Sequence, residues 1–175
     1  MYPLNINSKV IYFRDLKISH LPKILKWYNN IDEFRFATGI DKPISFSEMT
    51  KKYFESLLCT TEFFVGIYKN FSTEMIGILK GQFILTPQKA VWISSIMIDP
   101  DYQGRGLGRE AINLLIQHLR TNSEVKELYL AVAENNIKGK LFWKRQDFKE
   151  LKRIDNCLHL QNQPQNIIVM YRSIQ

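Results

Sequence analysis

Three glycines at alternate positions, Gly104, Gly106 and Gly108, sit between the turn-forming run Asp99-Pro100-Asp101-Tyr102-Gln103 and a stretch that reads as a helix. Glycine lets the backbone approach a ligand closely and adopt positive φ. A helix opening directly behind such a loop offers unpaired amides and the positive end of its dipole. Together these make an anion site, most often for phosphate. The spacing is G-x-G-x-G. It is neither the G-x-G-x-x-G of dinucleotide sites nor the G-x-x-x-x-G-K-[ST] of nucleotide-triphosphatase loops. The residues alone leave a tight strand-to-helix turn without a ligand as the other reading.

Little else has the spacing of a reactive centre. His20, His118 and His159 are scattered and make no metal pattern. Cys59 and Cys157 are too few for a disulfide framework and read as small apolar fillers. No metal is expected. The formal net charge of +7 favours acidic partners, yet the Lys and Arg residues are dispersed, with no run of four. A phosphorylated small molecule therefore outranks nucleic acid, and no nucleic-acid partner is expected. With 45% hydrophobic and 23% charged residues the 175-residue chain suits one globular domain spanning 1–175. No stretch is long and apolar enough for a membrane span, and Met1-Tyr2-Pro3-Leu4-Asn5 lacks a signal-peptide layout. The expected location is the cytoplasm, with no membrane partner.

The elements that must carry the loop follow from periodicity. Val10–Arg14 reads as a strand, and Ser19 as the N-cap of a helix reaching Tyr28. Residues 31–42 read as a loop or a short broken helix. Ser45 and Glu48 have capping-box spacing and open a helix to about Leu58. Glu62–Tyr68 and Met75–Leu85 read as a strand pair, with Gly77 and Gly81 marking a bulge or a close backbone approach. Thr86-Pro87-Gln88 turns the chain into a strand over Ala90–Ile98, which delivers it to the glycine loop. An apolar helical face ends near Asn122. Then come a strand over Glu127–Val132, a helix over Asn136–Gln146, and strands over Phe148–Ile154 and Asn166–Arg172 around a turn at Asn162-Gln163-Pro164-Gln165. A run of strands followed by a β-α-β-α unit predicts an α+β (α/β three-layer) fold with a mixed sheet.

The loop Gln103-Gly104-Arg105-Gly106-Leu107-Gly108 and the segment Asn136, Gly139, Phe142, Trp143, Asp147 and Phe148 together resemble the two motifs of the GNAT (Gcn5-related N-acetyltransferase) superfamily. The resemblance covers about residues 9–173. It implies a mixed, mostly antiparallel sheet of about seven strands flanked by about four helices and splayed between strands 4 and 5. It also implies acetyl-CoA (coenzyme A) as cosubstrate, with its pyrophosphate on the amides of residues 103–108. The pantetheine arm would pair with backbone groups of Ile96, Met97 and Ile98. Asn136 would hydrogen-bond the cofactor, cap its own helix, or both. Arg105, Arg109 and Lys140 are candidates for neutralising phosphates, or ordinary solvated charges. A homodimer is compatible with the resemblance.

The implied reaction is direct transfer of an acetyl group to a primary amine: a small molecule, an aminoglycoside-like compound or a protein N-terminus. An alkylamine has a pKa of roughly 10.4, so a proton must be removed before attack. A backbone amide in the strand over 96–98 would stabilise the oxyanion. Glu134, at the end of the fifth strand, is the expected base acting through a water. Ser94 and Ser95 lie on the fourth strand, and Asp32, Glu33 and Asp41 in the region lining the acceptor site in relatives. Trp27, Tyr28, Phe34, Phe36 and Trp92 frame an acceptor or fill the core. Trp143 stands where the family has the Tyr that protonates the departing thiolate, and an indole N–H does not release a proton at neutral pH. Solvent is the favoured proton donor. The other readings are a nearby Tyr or Ser, or weak or lost activity, which is the route to the alternative of a non-catalytic acyl-CoA-binding sensor or scaffold. Asp147 replaces the family glycine before Phe148, which is expected to change a turn, since Asp tolerates αL less readily than Gly.

Overall fold

The computed structural model describes residues 1–85, 87, 89–160 and 163–175, without the His159 side chain. The elements are β1 (Ile11–Asp15), α1 (Leu21–Tyr28), α2 (Ile31–Thr38), α3 (Phe46–Leu58), β2 (Glu62–Lys69), β3 (Met75–Ile84), β4 (Ala90–Ile98), α4 (Leu107–Asn122), β5 (Glu127–Ala133), α5 (Ile137–Lys144), β6 (Lys149–Leu160) and β7 (Gln163–Ser173). They form one seven-stranded sheet in the order β1-β2-β3-β4-β5-β7-β6. Among the described residues only the β4–β5 neighbours run parallel.

Two buried clusters cover the two faces of the sheet, which gives the three-layer class expected. On one face α1–α3 bring Leu21, Ile24, Trp27, Phe34, Met49 and Tyr53 onto Phe64, Ile78 and Met97. On the other, α4 lays Ala111, Leu114, Leu115 and Leu119 on Phe63, Val65, Val91 and Leu128. Each fully buried Leu, Ile or Phe contributes about 1.5–3 kcal/mol of transfer free energy. Both faces are therefore held, and the strands of the sheet centre read as continuous apolar runs.

Local signals explain most boundaries. Ser45 Oγ accepts from the Glu48 amide at 3.2 Å while Glu48 Oε2 accepts from the Ser45 amide at 2.7 Å, so the capping box forms as written in the sequence. Residues 31–38, readable as loop or broken helix, are a helix closed by Gly39 at φ 68°. Ser19 is not a cap. It lies in a 3-10 turn over Ile18–His20, and α1 starts at Leu21 with Pro22 in its first turn, where the missing N–H costs nothing. The last hairpin is longer than expected. Gln163, Pro164 and Gln165 belong to β7 and pair with Leu160, His159 and Leu158. Thr86 and Gln88 of the first expected turn and Asn162 of the second lie outside the described residues.

β3 carries the expected bulge beside Gly77: Ile67 pairs with Gly77 while Tyr68 pairs with Met75, so Ile76 is an extra residue. A second bulge lies in β4, opposite Gly81. Lys80 pairs with Ser95 while Gly81 pairs with Ile93, so Ser94 is the extra residue in β4. Gly81 is where β4 comes close: a Cβ there would meet the Trp92 carbonyl at 2.7 Å. The bulge reverses the alternation along β4. Val91 and Ile93 face the α4 cluster before it, and Ile96 and Ile98 after it. Ser95 and Met97 are turned to the α1–α3 face.

Candidate active site

The glycine loop has the conformation that an anion cradle needs. Gly104 and Gly106 have φ of 70° and 75°, and a Cβ built on either meets no atom within 4 Å. Both require the left-handed region, and both leave open space above the backbone. Gly106 is the N-cap of α4 and no side chain caps that end. The first amides of α4 have no intrahelical partner by construction. Gly108 serves packing instead: a Cβ there would lie 3.3 Å from the Phe142 ring. Arg109 stands exposed in the first turn of α4, at the end of a helix dipole where a cation is unfavourable unless an anion joins it. Arg105 lies over the Tyr102 ring, 5.6 Å from its centroid. The amides, the open glycines and these cations fit a pyrophosphate.

Behind the loop the sheet opens. β4 and β5 share ladder pairs only from Ala90 to Trp92 with Glu127 to Tyr129. Beyond that point β4 stays with β3 and β5 stays with β7. The Asp99 amide donates to Ile76 O at 2.8 Å, and strand alternation puts the Met97 backbone on the same, β3-facing edge. Ile98 O points the other way and accepts from Gln103 Nε2 at 2.9 Å. By the same alternation Ile96 and Ile98 present their backbone groups to the gap. Met97 therefore leaves the set expected to pair with a pantetheine arm, because β3 already takes its backbone. Gln103 spends its donors inside the protein: its side-chain Nε2 donates to Ile98 O and to Glu33 Oε1, both at 2.9 Å, and its backbone N–H to Pro100 O at 3.2 Å.

Asn136 caps α5: its Oδ1 accepts from the Gly139 amide at 2.9 Å, which leaves Nδ2 as the donor a ligand would use. Lys140 is half-buried in the first turn of the same helix. Trp143 is buried, with Phe142 and Phe148 edge-on to its ring at 4.8 and 5.1 Å. It is a core side chain. Asp147 adopts φ 59°, the left-handed conformation that glycine takes more readily.

Glu134 is a poor proton acceptor. Arg153 grips both carboxylate oxygens at 2.9 and 3.2 Å, and Asn166 Nδ2 donates at 2.8 Å. The hydrogen bonds from Arg153 and Asn166 hold its pKa below the ordinary value, with the charges of Arg153 and Lys140 adding to the effect. It braces β5 to the last hairpin. Of the other acids, Asp32 pairs with Arg35 at 2.8 Å and Glu33 with Gln103. Asp41 follows Gly39, outside α2. Trp27 Nε1 donates to Asp99 Oδ2 at 3.0 Å, which ties α1 to the loop. Phe34 is buried, whereas Phe36 is exposed.

Four side chains on the α1–α3 face matter that no local motif flagged together. Lys80 Nζ lies 2.9 Å from Glu62 Oε1. That oxygen is buried and misaligned for a hydrogen bond, so the contact is an ion pair only. Ser95, opposite Lys80, is 8% exposed and its hydroxyl has no partner. Tyr28 is pushed up to about 12 by burial and then by the Glu62 charge. The pairing of β2, β3 and β4 assembles this row, and separation in sequence hid it.

The chain has counterparts among known proteins. Residues 13–169 match the family model of the acetyltransferase (GNAT) domain. A stretch of 59 residues, 34% of this chain, is 41% identical to a probable spermine N(1)-acetyltransferase of Bacillus subtilis subsp. natto (strain BEST195). The spermine/spermidine N(1)-acetyltransferase of Bacillus subtilis (strain 168) matches equally, and in both cases the match spans 39% of the relative. Among solved structures, a spermidine N-acetyltransferase from Vibrio cholerae in complex with CoA and spermine superposes with a TM-score of 0.82, at 22% identity over 95% of this chain and 96% of that one. An acetyltransferase from Salmonella typhimurium that modifies the N-terminal serine of ribosomal protein L7/L12 gives 0.82 at 18% identity over 96% and 97%. These two likenesses bear on the fold. With the family model matched over nearly the whole sequence, the chain belongs to the GNAT acetyltransferase domain family.

Proposed function

We propose that this protein transfers the acetyl group of acetyl-CoA to a primary amine, and that the amine belongs to a polyamine. The observation that carries the reading is the gap between β4 and β5, open from Trp92 onward, with the uncapped N-terminus of α4 and two left-handed glycines at its mouth. The polyamine class rests on the local likeness to the two spermine acetyltransferases. The protein N-terminus is the competing acceptor.

Acetyl-CoA, when bound, supplies a thioester whose thiol leaves readily, with a pKa of roughly 8.5. The chain does the rest. The amides of residues 104–108, with Arg105 and Arg109, hold the pyrophosphate. The gap-facing backbone of Ile96 and Ile98 receives an extended arm as a strand would be received. The Ile96 amide, on the gap-facing edge of β4, donates to the oxyanion. Trp143 is in the core and its indole does not release a proton at neutral pH, which supports solvent as the source of the proton for the departing thiolate. Its burial also favours the second reading, a protein that holds acyl-CoA without turnover.

One assay separates these readings. Release of free thiol from acetyl-CoA is measured with spermine, spermidine and a peptide bearing an N-terminal serine. Thiol release with the polyamines and none with the peptide is the expected result. Release with the peptide alone replaces the acceptor class. A thermal shift with acetyl-CoA but no thiol release with any amine selects the holder.

A further inference from the structure

On the α1–α3 face, where β4 begins to leave β5, two buried oxygens lack hydrogen bonds: Ser95 Oγ and Glu62 Oε1. A buried hydroxyl without a partner is destabilising and persists for a reason. Ser95 follows the bulge at Ser94, so it is aimed away from α4, at the face opposite the one α4 seals. The α4 face of β4 is closed by Val91, Ile93, Ile96 and Ile98, all packed in or against that core. Ser95 lies on the other side of the gap, the side that α4 does not fill. Beside it in the sheet is Lys80, and one strand further is Glu62, each strand step being about 4.8 Å.

Resting on the acetyl-transfer reading, we propose that Ser95 and Lys80 form the seat of the acceptor amine: the Ser95 hydroxyl accepts a hydrogen bond from the amine N–H, and the Lys80 ammonium disfavours the protonated form of that amine. The nucleophile must be neutral, and a fixed cation nearby lowers the pKa of a bound ammonium. Glu62 keeps Lys80 in place and partly offsets its charge. Because Lys80 is cross-strand from Ser95 and Glu62 is a strand further away, the cation dominates at the amine. The other titratable side chains in this cluster, among the described residues, are tyrosines and a histidine. Tyr28 from α1 is neutral, its pKa pushed up to about 12 by burial and by Glu62. Tyr53 from α3 donates its hydroxyl to Leu16 O at 3.3 Å, and Tyr68 from β2 sits with His20 from the 3-10 turn. No strong base is then needed. The proton leaves to solvent before attack, and the second is lost from the tetrahedral adduct as the thiolate departs.

The test is the pH dependence of kcat for the full chain, with saturating acetyl-CoA and spermidine as the probe amine. Lys80→Met is expected to move the acid limb of kcat to higher pH by a unit or more, because the ammonium form regains stability. Glu62→Gln is expected to move it to lower pH, because the offsetting charge is gone. Damage to the fold alone would not produce shifts of opposite sign. The double variant Glu62→Gln/Lys80→Met leaves no buried unpaired charge, and its limb is expected to lie above that of the unmodified protein. Ser95→Ala is expected to raise the thermal midpoint while lowering kcat/KM for spermidine about tenfold, with the limb unmoved and Ser95→Thr restoring the rate. Unmoved limbs in both charge variants overturn the role of Lys80, and full activity of Ser95→Ala overturns that of the hydroxyl. Absence of thiol release by the unmodified protein refutes the transfer reading itself, and with it this seat.

Discussion

Glu134 shows why residue type and strand position are not enough to name a base. It stands directly after β5, but its chemistry is set by Arg153 and Asn166, which lie on the last hairpin. Those partners are 19 and 32 residues away in sequence and come together only through the β5–β7–β6 order. A carboxylate whose folded pKa is depressed stabilises the fold above its ordinary pKa, and that contribution disappears as pH falls through the depressed value. Glu134→Gln should therefore leave the pH–rate profile unchanged. Its thermal midpoint should fall below that of the unmodified protein at pH 7, and the difference should vanish in acid. A lost basic group in the rate profile would return Glu134 to the chemistry. Trp143 makes the same point from the other side. The sequence marked the substitution, and only packing reveals that the ring is held by Phe142 and Phe148.

At the scale of elements, what was readable is what is encoded within a few residues. The Ser45–Glu48 box, the Asn136 cap and the loop into α4 are all local devices, and all form. Asp147 accepts the left-handed turn because a short polar side chain tolerates αL better than a branched one. The devices that were missed depend on a partner strand. The bulge at Ser94 is defined by register against Lys80 and Gly81, and it decides that Ser95 faces the α1–α3 side. The backbone direction of Met97 depends on β3, and the hairpin ends depend on pairing across Leu160 and Gln163. A test of the loop belongs at this scale. Gly106→Ala forces an L residue to φ 75°, at a strain of roughly 1–2 kcal/mol, and fills the space above the backbone. The variant should melt earlier, and the gain in midpoint on adding acetyl-CoA should shrink or disappear. A full ligand-induced gain would mean that the anion is held elsewhere.

The molecule as a whole is two half-sheets joined at a vertex. β1–β4 form one half and β5–β7 the other, and their shared ladder is three residue pairs long. α4 and the buried cluster around it span the rest of the junction. A strand-like ligand in the gap would satisfy the exposed edges of both halves and link them. A ligand at 100 times its dissociation constant adds about 2.7 kcal/mol of stability. For a chain of this size that corresponds to a midpoint increase of about 5–11 °C. The same geometry makes the effect visible residue by residue. Met97 donates toward β3 in the free protein, so its amide should exchange slowly with or without ligand. Ile96 and Ile98 point into the gap, so their amides should exchange fast when free and slow down in saturating acetyl-CoA. Slowing at Met97 with none at its two neighbours would mean that β4 turns its other edge to the gap. A uniform slowing along β4 would instead indicate global stabilisation without insertion into the gap. The alternating pattern is the outcome that ties the added stability to this opening in the sheet.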